Sequence, residues 1–356
     1  MKQLELFSGV GGFRQASELL EIDFGVEFKT VGYSEIDVNA KRTYNSVFDT
    51  NGEMDIGDIV EFNSDESNIK SIPDISLITG GFPCQPFSMM GKQKGFDDDR
   101  GNLFFEIMKI VRIKKPRYIL LENVKNLKTH DSGDTLSVII STLESANYRV
   151  KMDIFNTSDY GLAQTRNRIY IFAYPKSMGD IDFSNGVVKT TFDKIERKTS
   201  IMKQDNTHEV LSKSVDAKYF LSERIKPTIL ANGSKNFQSR SEINQLIARP
   251  LTATMAKMHR ACQDNYFSTG YIESDNPEEY VKKQFSKEEL AKQPIRRITP
   301  REAFALQGFD STYFDKVETS GVSDCQLYKQ AGNAVSVNTV YAILYYLFVH
   351  LHLTDE

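Results

Sequence analysis

Apolar and polar positions along the chain fall into a repeating order. A short apolar run at 4–7 meets Ser8-Gly9-Val10-Gly11-Gly12, and residues 13–20 then carry apolar side chains at helical spacing. That order predicts strand, glycine turn, helix. A second strand is predicted at 29–34, ending at Glu35, with a helix over 39–47. A third apolar run, 76–79, ends in Gly80-Gly81-Phe82-Pro83-Cys84. Residues 102–114 place apolar side chains at 103, 104, 107, 108, 110 and 111, a helix that Pro116 stops. The run 118–121 reads as a buried strand ending in Glu122-Asn123-Val124. A helix over 135–145 and two strands at 148–155 and 169–174 close the series.

Strands alternating with helices of about ten residues define an α/β fold with a mainly parallel sheet. In such sheets ligands bind beyond the carboxyl ends of the strands. The unusual residues lie there: Gly9 to Gly12, Glu35, Cys84 and Glu122. Beyond about residue 178 the periodicity weakens, and 179–295 is polar and basic. Helical spacing returns at Thr299-Pro300, an N-cap followed by proline at the first helical position. Gln330-Ala331-Gly332-Asn333 is expected to open a long apolar helix reaching Leu353. The expected division is 1–178 plus 325–356 as one domain, 179–295 as a second, and 296–324 as a connecting region.

Charge sharpens the picture of the middle segment. The 356 residues carry a net −4, yet 181–300 holds 20 basic and 15 acidic residues. Between Lys213 and Arg260 nine basic residues face three acidic ones. Such asymmetry marks either a phosphate-facing surface or a solvated face. Three cysteines form neither a zinc spacing nor an even disulfide set, so a reducing compartment and no metal are expected. Glu5 interrupts the N-terminal apolar run, which excludes a signal peptide there. The apolar segment 337–353 falls short of the ~20 residues that span a bilayer and reads as a core helix.

Candidate chemistry follows from the strand ends. The turn at 7–12 brings backbone close to a ligand, because glycine has no Cβ in the way. Glu35 could accept both hydroxyls of a ribose, while the spacing is not that of a pyrophosphate cradle. A nucleoside cofactor without phosphates fits, and S-adenosylmethionine is the common one. Cys84 lies between two prolines in a rigid loop after a strand. It reads either as an inert thiol or as an aimed nucleophile. Glu122, at a desolvated strand end, is expected to hold its proton at neutral pH and donate to a ring nitrogen; it could also cap the next helix. Arg166 and Arg168, two apart at a strand start, could anchor a carboxylate or a base carbonyl, or form a surface ion pair.

Taken in order, LFSGVGGF, GFPCQPFS, GFDDDRGNLFFEI, LLENVKNL, QTRNRIYIF, RRITPREAFALQGF and QAGNAVSVN resemble the DNA (cytosine-5)-methyltransferases of bacterial modification systems. The resemblance spans about 1–175 and 295–350. It implies a Rossmann-like methyltransferase domain with a smaller target-recognition domain at 179–295. It implies Cys84 as the nucleophile on C6 of cytosine, Glu122 on the ring N3 and exocyclic amine, Arg168 on O2, and Arg166 in support. S-Adenosylmethionine would rest on Phe7, Gly9, Gly11 and Gly12, with Glu35 on the ribose. Asp58 and Ile59 would meet the adenine, Pro83 and Leu103 would line the pocket, and Asn333 and Ala334 would close it; S-adenosylhomocysteine is the implied product. Ile36 follows Glu35 where many relatives carry an aromatic residue.

Double-stranded DNA is the implied partner. Contacts are expected from Gln85, Ser88, Lys92 and Lys94 in the loop 88–102. Others are expected from Arg249, Thr252, Thr254, Lys257 and Arg260. A monomer in the cytoplasm is expected, with a cognate restriction endonuclease that forms no stable complex with it. RNA as substrate, a catalytically silent DNA-binding protein and a nicotinamide oxidoreductase are the rival readings.

Overall fold

The computed structural model describes residues 1–83, 103–195, 200–234, 237–238, 241–260 and 262–353. The chain divides into two compact units. One comprises Met1–Asn156, Asn167–Ser200 and Thr339–Glu356; the other comprises Thr157–Arg166 and Ile201–Asn338.

Among the described residues the first unit is built on seven strands: β1 (Lys2–Leu6), β2 (Lys29–Ser34), β3 (Met54–Asp55), β4 (Leu77–Gly81), β5 (Tyr118–Val124), β6 (Tyr148–Asn156) and β7 (Asn167–Pro175). Their order is β3-β2-β1-β4-β5-β7-β6. All neighbours are parallel except β7, which runs antiparallel to β5 and β6. The order reverses direction between β1 and β4, the position where such sheets open a crevice. Helices α1 (Gly12–Phe24), α2 (Val38–Val47), α3 (Ile59–Phe62), α4 (Glu66–Ser71), α5 (Leu103–Lys114), α6 (Asp134–Ser145) and α7 (Asn185–Asp193) connect and cover the strands.

Alternation along the strands sorts the two faces. Leu4 and Leu6 of β1 and Ile119 and Leu121 of β5 enter one continuous apolar core with Phe104, Ile107 and Ile110 of α5 and Ile139 of α6. On the opposite face, Gln3 of β1 accepts a hydrogen bond from Ser17 of α1 (3.0 Å), and the Tyr118 ring of β5 meets Phe348 edge-on at 5.4 Å. Glycine is required in two strands by close backbone approach. A Cβ on Gly80 would lie 3.0 Å from the Leu6 carbonyl oxygen, and one on Gly32 2.8 Å from that of Met54.

The predicted elements of this unit are present with small boundary shifts, but the expected domain division differs from the observed one. Residues 157–166 belong with the second unit, because Thr165 N–H donates to Ala248 O (2.9 Å) and Gln204 N–H to Gly161 O (2.9 Å). The region 296–324, expected as a connector, lies inside that unit. Its Arg296 and Glu302 form a doubly hydrogen-bonded ion pair at 2.8 Å, each side chain 1% exposed. Thr299 and Glu302 complete a capping box ahead of the helix Pro300–Ala305.

The C-terminal helix begins later than its sequence pattern predicts. Gln330 to Asn333 ends the helix Asp324–Asn333 instead of opening one. A break at 334–336 follows, then the helix Val337–Leu344 and a π-helical stretch, Tyr345–His350. The segment Asp324–His350 is apolar and long enough to cross a membrane by composition, yet 83% of its most apolar window is buried in the protein.

Candidate active site

The glycine turn follows β1 directly. Phe7 takes φ 53°, Gly9 φ 56° and Gly11 φ 80°, all in the left-handed region. For a phenylalanine that conformation is strained, by about 1–3 kcal/mol, and strain of this kind collects at binding sites. Ser8 N–H donates to Ser34 O of β2 (2.9 Å), and Gly11 N–H to Ser8 O (2.7 Å). Gly11 is the N-cap of α1 and has no side chain to cap it. The Ser8 hydroxyl is buried and has no hydrogen-bond partner among the described residues.

Glu35, one residue past β2, bridges two backbones. One carboxylate oxygen accepts Gly9 N–H at 2.9 Å and the other accepts Asp37 N–H at 2.7 Å. Each oxygen keeps a lone pair for a further donor. Ile36 stands 70% exposed beside it. Asp58 is exposed and caps α3 by accepting Val60 N–H at 2.8 Å. Ile59 is 1% exposed and packed in the apolar core, while Val60 next to it is 37% exposed. Pro83 is exposed, and Leu103 is half-buried against the core.

The turn, one strand-end carboxylate and exposed apolar side chains suit a nucleoside. Gly9-Val10-Gly11-Gly12-Phe13-Arg14 lacks the third glycine of the spacing that lays a pyrophosphate on a helix N-terminus. The turn therefore fits S-adenosylmethionine better than a dinucleotide.

A buried polar network lies under the turn, and the sequence reading missed it. Glu5 is fully buried in β1; one of its oxygens accepts the Tyr44 hydroxyl at 2.9 Å, and the other has no partner among the described residues. Burial raises the Glu5 pKa to about 7, against the lowering influence of Tyr44 and Arg14. Arg14 of α1 donates to Tyr44 Oη (3.2 Å), Asp49 O (3.0 Å) and Glu53 (3.0 Å), and its guanidinium lies 4.6 Å from the Phe48 ring centroid. That ring closes on the turn, for a Cβ on Gly11 would approach it to 2.3 Å. The available signal was the pair of polar residues Gln3 and Glu5 on one face of an otherwise apolar strand.

The second focus is the end of β4 and β5. Register pairs Gly81 with Glu122, and Asn123 Nδ2 donates to Phe82 O at 2.8 Å. Asn123 is 2% exposed, so this bond locks the two strand ends together inside the protein. Sequence reading gave Asn123 no role, because asparagine at a strand end has no distinctive pattern. Glu122 Oε1 sits 3.0 Å from Arg168 Nε, with side chains 10% and 19% exposed. The expectation for Glu122 considered desolvation alone and left out this charged partner. Arg166 does not act alongside Arg168. Its guanidinium donates to Leu251 O, Gly332 O and Ala334 O in the second unit. Cys84, Gln85, Ser88, Lys92 and Lys94 lie outside the described residues.

The remaining candidates belong to the second unit. Asn333 is exposed at the end of its helix and Ala334 is buried. Arg249, half-buried, donates to the carbonyls of Glu242 (2.9 Å) and Asp264 (3.3 Å). Arg260 pairs with Asp264 (2.9 Å) and donates to Thr252 Oγ1 (2.6 Å). These two arginines therefore spend their guanidinium groups inside the unit. Thr254 and Lys257 are exposed, and Met258 is 61% exposed beside them. Part of the basic surplus is thus structural; Arg296 and Lys226 are likewise buried and paired.

Fold and site together define an α/β protein of the methyltransferase type. Its backbone is similar to solved methyltransferases: S. pombe Dnmt2 at TM-score 0.73 and 20% identity, covering 99% of this chain and 100% of that one; and Entamoeba histolytica EhMeth at TM-score 0.71 and 20% identity, covering 99% and 98%. The model of the C-5 cytosine-specific DNA methylases matches residues 1–348, and the chain belongs to that family. It is 36% identical to the Type II methyltransferase M1.ScrFI of Lactococcus lactis subsp. cremoris over 96% of this chain and 76% of the relative. It is 33% identical to the Type II methyltransferase M.HhaI of Haemophilus parahaemolyticus over 97% and 93%.

Proposed function

We propose that the protein methylates C5 of cytosine within a short, specific sequence of duplex DNA, through a transient bond from Cys84 to C6. One observation carries this reading: Gly81 pairs with Glu122, and Glu122 meets Arg168 at 3.0 Å, three residues before the cysteine. A carboxyl group and a guanidinium thus stand together beside the strand end from which the thiol follows. A flat pyrimidine offers N3 with its exocyclic amine to the first and O2 to the second.

With the base so held, Cys84 adds to C6, and C5 becomes the electron-rich carbon. Bound S-adenosylmethionine supplies the electrophilic methyl group. Afterwards the proton on C5 leaves, Cys84 is expelled, and the ring regains its double bond. Phe7, Gly9, Gly11, Gly12, Glu35, Ile36 and Asp58 would hold the cofactor, with Pro83 and Leu103 at its edges. Ile36 would lie against the adenine; Ile59 would contribute through its backbone, its side chain being in the core.

The target base is stacked in a duplex and has to be turned out, at a cost of a few kcal/mol. Gln85, Ser88, Lys92 and Lys94 would contact DNA from the loop after the cysteine. In the second unit, Thr254 and Lys257 are the contacts, whereas Arg249, Thr252 and Arg260 build the turn that presents them. The enzyme would work as a cytoplasmic monomer beside a separate endonuclease.

The test supplies tritiated S-adenosylmethionine with duplex DNA or with RNA, and bisulfite sequencing then places the modified base. Label in 5-methylcytosine of DNA at one recurring sequence is expected. Label in RNA alone, or on an exocyclic nitrogen, overturns the proposal.

A further inference from the structure

Helix α5 buries a carboxylate among apolar side chains. Ile107, Met108, Ile110 and Val111 are buried there, and so is Glu106, 1% exposed. A buried carboxylate costs free energy unless its oxygens are engaged. Lys109, three residues on, donates to Oε1 at 2.8 Å. Oε2 accepts Asn63 Nδ2 at 2.9 Å, and the same amide nitrogen donates to Glu106 O at 3.0 Å. Asn63 is 6% exposed. One side-chain amide thus holds both the carboxylate and the backbone of α5.

Asn63 is the C-cap of α3, a helix of four residues. So short a helix is not stable by its own hydrogen bonds. Ile59 and Phe62 pack it against the apolar core, but apolar packing has no direction. The hydrogen bonds of Asn63 join it to α5 in a fixed direction.

Asp58 stands at the opposite end of α3. One of its oxygens accepts Val60 N–H at 2.8 Å, and lone pairs remain for a further donor. Under the proposed function Asp58 meets the adenine, and Leu103, three residues before Glu106, borders the same cofactor; the inference rests on that reading. We propose that Asn63, through Glu106, is a positioning residue for recognition of the cofactor's base: it locks α3 on α5 so that the Asp58 carboxylate meets the exocyclic amine of adenine. Without that lock α3 still packs through Ile59, but the carboxylate loses its aim. Asn63 thus governs which base is preferred and leaves the hold on the rest of the cofactor unchanged.

The experiment titrates the full-length protein with S-adenosylhomocysteine and with its 6-deamino analogue, in which hydrogen replaces the exocyclic amine. Wild type, Asp58→Ala, Asn63→Ala, Asn63→Ser and Glu106→Gln are compared after thermal melts confirm folding. Serine is too short to reach both acceptors and serves if the alanine variant does not fold. Wild type is expected to prefer S-adenosylhomocysteine about tenfold, the worth of one hydrogen bond to a carboxylate. In Asp58→Ala and the Asn63 variants that preference is expected to fall below about threefold, with affinity for the analogue within about twofold of wild type. Glu106→Gln keeps an acceptor for Asn63 and is expected to retain the preference. Asn63 variants that keep the tenfold ratio, or that lose affinity for both ligands equally, overturn the proposal, as does a Glu106→Gln protein that loses the ratio. A wild-type ratio near one, or one that survives Asp58→Ala, overturns the assignment of Asp58 and the inference with it. Failure of wild type to bind either ligand would instead sink the proposed function itself.

Discussion

Glu5 occupies a strand position where an apolar side chain would pack against α1 and α2. Its carboxyl group meets the Tyr44 hydroxyl, and Tyr44 in turn meets Arg14. With its pKa raised from 4.5 to about 7, the folded state holds this proton after the unfolded chain has released it. The stabilising contribution is therefore complete below pH 4.5 and is lost as pH rises through about 7. The loss amounts to about 3 kcal/mol for a shift of this size. Glu5→Gln keeps a hydrogen-bonding side chain and has no proton to lose. Denaturant midpoints measured from pH 4.5 to 8 are expected to decline for wild type more steeply than for the variant. Parallel profiles would assign the pH response to other groups, among them Glu53, whose pKa burial also raises.

At the scale of elements, the glycine turn separates conformational strain from crowding. Gly11 and Gly25 both hold positive φ, 80° and 70°, at opposite ends of α1. A methyl group on Gly25 meets nothing within 4 Å, whereas one on Gly11 runs into Phe48. Gly25→Ala is expected to cost about 1 kcal/mol and leave S-adenosylhomocysteine affinity in place. Gly11→Ala adds the steric clash, should cost about 1–3 kcal/mol more, and should weaken that affinity at least tenfold. Calorimetric melts and titrations check both. Equal affinity losses in the two variants would mean that the turn is not the cofactor's seat.

The same elements show what sequence patterning reveals. Strands and helices of the first unit were legible because each repeats one short period and ends at a glycine or proline. The placing of Gln330 to Asn333 was not: an apolar helix continues after the break at 334–336, and composition does not distinguish a break from a start. Nor did the sequence disclose which arginines face inward. Arg249 and Arg260 lie in the stretch read as basic, yet they bond to the Glu242 carbonyl and the Asp264 carboxylate, and Arg296 reaches the Ser212 carbonyl 84 residues away. Hydrophobic periodicity carries no trace of how an irregular segment folds back on itself.

For the whole molecule, the unit boundaries differ from the expected ones for a related reason. Residues 157–166 are polar and short, like many surface loops, but Gln164 and Arg166 are core residues of the second unit. Arg168 and Arg166 are two positions apart, yet Arg168 ion-pairs with Glu122 while Arg166 donates to backbone carbonyls of the second unit, a difference that no local pattern announces.

Attack by the sulfur of Cys84 on a cytosine ring is the central step of the proposed reaction. Duplex DNA carrying 5-fluorocytosine at the target position has no C5 proton to release after methylation, so the enzyme should remain attached. With S-adenosylmethionine present, mass spectrometry of the digested complex is expected to find the modified nucleotide on the peptide containing Cys84. A complex that never forms on DNA proven to be a substrate, or an adduct on another residue, would contradict it.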